Sequence, residues 1–141
     1  SPGEMSSTTG GNPLSSAGSL AVLDIMEDEQ IPANSEVQGK YLKERLLGLK
    51  KKYKFLGDVR GLGLVIGLEI TEGDDAKTPA KNIMKNIISA AAENGLLLGS
   101  VGLHGNVIRI APPLIIKQNE IDIAVDILDM AMLQVNKKLL V

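Results

Sequence analysis

The chain has 141 residues, 44% of them apolar and 23% charged, with a formal net charge of −2. That length suits one domain with a modest core, and such usage is ordinary for a globular protein, which sets aside disordered and collagen-like classes. The small charge offers no broad surface to nucleic acid or membrane, and the lack of cysteine excludes a disulfide scaffold and a thiolate metal site.

Residues 1–11 are rich in Ser, Thr and Gly and read as a loop. Asn12 suits an N-cap and Pro13 a first helical position, so a helix is predicted from there to about Glu29. Its first half mixes Ser16, Ala17, Gly18 and Ala21 with Leu20 and Leu23 and shows no long polar face, a pattern for close packing against a larger body. A second helix is predicted over Ile31 to Tyr53, with Val37, Tyr41, Leu42, Arg45, Leu46 and Leu49 at helical spacing and lysines opposite. In "FLGDVRGLGLVIGLEI", Val59 precedes a Gly-rich turn and Leu64 to Ile70 reads as a buried strand.

After the turn "TEGDDAKTP", Thr78 and Pro79 are expected to open a third helix that ends at Asn94-Gly95, with Ile83, Ile87, Ile88 and Ala91 on one face. "LLLG" and "NVIRIAPP" read as short strands around a loop that holds His104, the sole histidine. A last helix is predicted over Gln118 to Lys138, carrying an apolar stripe from Ile121 to Val135. The expected fold is α+β, a small and mainly antiparallel sheet with helices on one face, preceded by a connecting helix. Residues 1–30 would be loop and connector, and 31–141 the small domain.

Few features carry chemistry. Gly61, Gly63 and Gly67 are spaced G-x-G-x-x-x-G and lead into a strand, whereas a dinucleotide fingerprint must open a helix. A tight turn between strands accounts for them. His104 has no partners for a catalytic or metal cluster, and Lys50-Lys51-Lys52 reads as an exposed helix end. Arg109 stands in "VIRI" between two isoleucines and must face away from them in a strand. Two readings stay open for it: an exposed or ion-paired surface residue, or a clamp for a carboxylate, which a planar guanidinium binds in bidentate fashion. The stretch "SSTTGGNP", Ser6 to Pro13, is likewise open between a plain N-capped loop and an anion nest.

Three segments, "STTGGNPLSSAGSLAVLDIMEDE", "DVRGLGLVIGLEI" and "VIRIAPPLII", resemble in order and spacing the C-terminal third of class III (ω-amino acid) aminotransferases. These are fold-type I enzymes that depend on pyridoxal 5′-phosphate (PLP) and include the 4-aminobutyrate, ornithine and acetylornithine aminotransferases. The resemblance implies that Thr8, aligned through Gly10-Gly11-Asn12-Pro13, binds the PLP phosphate of a partner subunit, with Ser7 beside it. Thr9 stands where the family has an aromatic residue. Arg109 matches the family's substrate-carboxylate Arg.

The resemblance also implies a homodimer acting on an amino donor and an oxo acid, while charge, hydropathy and the lack of a ligand cluster leave no nucleic acid, membrane or metal to expect. No lysine here stands in a context like the Schiff-base motif, and the catalytic list is therefore empty. The chain is expected to be a C-terminal fragment, inactive alone, of a cytoplasmic enzyme. Its origin stays open between a truncated gene product, a proteolytic remnant and a deliberately cut piece. The competing expectations are a stand-alone, non-catalytic interaction domain whose first helix is an oligomer surface, and a phosphate-binding module in its own right.

Overall fold

The computed structural model describes residues 10–73 and 78–139. In chain order the elements are α1 (Pro13–Asp28), α2 (Ile31–Lys52), β1 (Leu56–Leu62), β2 (Val65–Ile70), α3 (Lys81–Glu93), β3 (Gly99–Val101), β4 (Val107–Ile110) and α4 (Gln118–Leu139). The chain divides into two compact units, Ser1–Ala33 and Asn34–Val141.

In the first unit, the Asn12 side chain accepts hydrogen bonds from the backbone N–H of Leu14 at 3.0 Å and Ser15 at 3.3 Å. Pro13 occupies the first turn, where a missing N–H costs nothing. These two residues start α1 locally, yet none of its residues is buried.

In the second unit all four strands are antiparallel, in the order β1-β2-β4-β3. Alternation sorts the residues of the sheet. Ile66, Leu68 and Ile70 of β2 and Ile108 of β4 point inward and are buried. They share one core with Leu42, Leu46 and Leu49 of α2, Met84 and Ile87 of α3, and the α4 stripe Ile121, Val125, Leu128, Met132 and Val135. A register shift between Leu56 and Asp58 lets both Leu56 and Val59 reach this core from β1.

Tyr53, 1% exposed, donates from its hydroxyl to Asp129 on α4, and Lys52 pairs with the same carboxylate at 2.7 Å. Arg45 of α2 reaches Asp122 and Asp126 of α4. One further contact fixes α2 against the sheet. A Cβ at Gly39 would lie 2.2 Å from the Gly63 carbonyl, and Gly63 turns the β1–β2 hairpin with φ +52°. Only glycine lets the two backbones approach this closely.

Three local expectations need correction. The third helix starts at Lys81 rather than Pro79. Its N-cap is Ala80, without a side-chain cap, because Pro79 forms a β-bridge with Thr71 instead. "LLLG" is not a strand before Gly99, since Leu96 and Leu98 turn to the core edge and β3 begins only at that glycine. Val37 does not join the apolar face of α2 and is 64% exposed.

Candidate functional site

The outward face of the sheet carries the charges. Register puts Arg60 of β1, Gly67 of β2, Arg109 of β4 and Gly99 of β3 in one row across all four strands. The next row holds Asp58, Glu69, Val107 and Val101. Arg109 therefore faces away from Ile108 and Ile110, as the "VIRI" pattern requires, and it is exposed. Its cross-strand neighbours on both sides are glycines, so no side chain flanks the guanidinium in its own row.

The two arginines of this row differ in their partners. Arg60 donates to Asp58 at 2.9 Å and also to Glu69. These hydrogen bonds hold Arg60 more firmly charged, and the guanidinium keeps the Asp58 carboxyl below the usual carboxylate range. Arg109 pairs with no carboxylate among the described residues. Among the described residues it is also the one charged residue in the lining of a cleft of about 260 Å³ at the end of the sheet, whose other walls include Leu96, Leu98, Pro112 and Ile116. Chemically, a guanidinium with no carboxylate partner among the described residues, set beside apolar walls, can take an anionic group with an apolar body.

The other expected residues, Ser7 and Thr8, lie outside the described residues, as does Thr9. The start of α1, a few residues further along the chain, is described and can be compared with a phosphate site. The Leu14 and Ser15 amides are taken by the Asn12 side chain, and the Ser16 amide by the Asn12 carbonyl at 2.9 Å. The helix is thus capped by its own asparagine. No described lysine is buried. His104 is exposed in the β3–β4 loop, and no group of three or more metal-binding side chains occurs among the described residues. No described helix is long and apolar enough to cross a membrane.

Sequence reasoning misses Arg60, Asp58 and Glu69, although a signal exists. A hairpin turning near Gly63 sets Arg60 opposite Gly67 and brings Glu69 to the same face. That inference needs the position of the turn, and the glycine pattern alone ends the first strand before Gly61.

The model of the aminotransferase class-III family matches residues 1–132. The chain belongs to this family, whose aminotransferases depend on PLP. It is 42% identical, over 89% of its own length, to "Alanine--glyoxylate aminotransferase 2 homolog 2, mitochondrial" of Arabidopsis thaliana, and covers 26% of that protein.

Among solved structures, a phospholyase from Arthrobacter in complex with phosphoethanolamine superposes with a TM-score of 0.80 at 36% identity. That match covers 86% of this chain and 29% of the phospholyase. A transaminase from the marine bacterium Virgibacillus gives a TM-score of 0.85 at 31% identity, covering 96% of this chain and 32% of that one. The chain spans between about a quarter and a third of the length of these relatives. The small α+β fold is theirs.

Proposed function

We propose that this chain is the C-terminal part of a PLP-dependent aminotransferase that moves an amino group from an amino acid or ω-amino acid to a 2-oxo acid. The observation that carries this reading is Arg109, a guanidinium flanked by two glycines, paired with no described carboxylate and set at an apolar cleft in a chain of this family. Its part is to bind and orient a substrate carboxylate through two parallel N–H donors. Ser7 and Thr8 are assigned to the PLP phosphate of a partner subunit, on the resemblance of "STTGGNP", so the working unit is a homodimer. When bound, PLP supplies the electron sink for the chemistry, and the protein supplies position and charge.

The amino group transfer is a choice within the family, since one relative that shares this fold is a phospholyase. The test is Arg109→Gln in the full-length protein that carries this chain. We expect KM for 2-oxoglutarate to rise roughly ten- to a hundredfold, the range for losing a charged hydrogen bond. An unchanged KM would remove the assignment.

We also propose that the 141-residue chain alone is inactive, because its lysines lack the Schiff-base context and none that is described is buried. Amino transfer by the purified chain supplied with PLP and donor would overturn this. We also propose a cytoplasmic location for the enzyme, which cell fractionation tests.

A second reading, a non-catalytic interaction domain, draws on the apolar α1, where Leu14, Leu20 and Leu23 are all at least half exposed. A measured transaminase activity of the full-length protein would remove it.

A further inference from the structure

Glu69 has two arginines within reach. It lies two residues along β2 from Gly67, and Gly67 is the register partner of Arg60 on one side and Arg109 on the other. Glu69 is thus the diagonal neighbour of both. Such neighbours lie roughly 7–8 Å apart, which long side chains span. Gly67 puts no side chain between the two cations. Glu69 nevertheless sits on Arg60, whose guanidinium also holds Asp58 at 2.9 Å. Arg109 keeps no carboxylate among the described residues.

We infer that Arg60 is a positioning residue for Arg109. It engages Glu69 and Asp58 on the β1 side of the sheet and so leaves Arg109 open to an incoming carboxylate. This rests on the reading of Arg109 as the carboxylate clamp. Without Arg60, Glu69 loses its hydrogen bond, and Arg109 is the arginine that remains diagonal to it across Gly67. Glu69 would turn toward it and compete with the substrate. The arrangement is one of selective neutralisation: Glu69 and Asp58 both bond to Arg60, and Asp58 also lies 3.9 Å from Lys50, while Arg109 takes neither carboxylate.

The test compares Arg60→Met with the double variant Arg60→Met/Glu69→Gln. In the 141-residue chain, nitrogen NMR of the arginine side chains reads rotation of the Arg109 guanidinium. That rotation is expected to slow by about twofold or more in Arg60→Met and to recover in the double variant. Arg60 is 54% exposed at its side chain, so its loss spares the core. Should Arg60→Met not fold, Arg60→Gln gives the same comparison.

In the full-length protein, KM for 2-oxoglutarate is expected to rise about two- to fivefold in the single variant, the range that exposed ion pairs support. Adding Glu69→Gln should restore it. Unchanged Arg109 rotation in the single variant overturns the proposal, and so does a slowed rotation or raised KM that persists in the double variant. If Arg109→Gln leaves KM unchanged, the carboxylate reading fails on its own account. The NMR comparison still reports which arginine Glu69 takes.

Discussion

Helices α1 and α4 are both apolar and both begin where their sequences place them, yet they end in opposite situations. α4 places Ile121, Val125, Leu128, Ala131, Met132 and Val135 in the core, and α1 buries nothing. In α4 the apolar residues recur at three and four and make one stripe. In α1, Leu14, Leu20, Val22, Leu23 and Ile25 are scattered around the axis among Ser and Gly, and no single face emerges. The contrast separates two demands. An asparagine cap and a proline start α1 locally, whereas recurrence at three and four gives α4 the face it buries within this chain.

The largest test of this contrast is truncation. Leu128→Ala in α4 should cost about 2–5 kcal/mol of unfolding free energy, while Leu20→Ala on α1 should change it by less than about 0.5 kcal/mol. Urea unfolding followed by circular dichroism measures both, and equal losses would erase the distinction.

A smaller effect is expected within α2. Gly39→Ala drives a methyl into the Gly63 backbone and should cost about 1–3 kcal/mol. Gly48→Ala, with nothing within 4 Å of its Cβ, should instead gain about 0.5–1 kcal/mol from helix propensity. Thermal unfolding of the two variants should shift in opposite directions.

Next in size is a pH effect on the α2–α4 contact. Burial, and then the bond to Asp129, push the Tyr53 hydroxyl up to about 12. The folded state holds this proton more tightly than the unfolded chain, whose tyrosine titrates near pH ~10. The linked stability is therefore fully present below about pH 10 and is lost as pH rises toward about 12. Tyr53→Phe should lose less stability than the parent over that window, in unfolding curves taken at several pH values. At neutral pH it should lose only about 0.5–1.5 kcal/mol.

The smallest effect is local. Asn12→Ala should weaken α1 by about 1 kcal/mol, seen as faster exchange of the Leu14 and Ser15 amides. The unfolding midpoint of the second unit should not move. A matching drop there would join the two units into one cooperative body.

Much of the fold is legible in the sequence because it is local. Asn12-Pro13 announces α1, the stripe from Ile121 to Val135 announces α4, and the isoleucines around Arg109 announce which way it faces. What fails is non-local. Pro79 looks like a helix opener until Thr71 claims it as a strand partner. Leu96 to Leu98 looks like a strand until the core edge claims two of its leucines. Arg60 and Glu69 gain meaning only once β2 is known to lie between β1 and β4. The resemblance supplies Ser7 and Thr8, and these fall outside the described residues.

The strand order has a kinetic consequence. β1 and β2 are joined by a tight turn at Gly63, so their pairing closes almost no loop. β2 and β4 meet only after the chain has travelled through α3 and β3, with partners such as Ile66 and Ile110 roughly forty residues apart. Distant pairings of this kind are slow to form. The knot of Arg60 with Glu69 belongs to the quick hairpin, and the row that contains Arg109 belongs to the late closure.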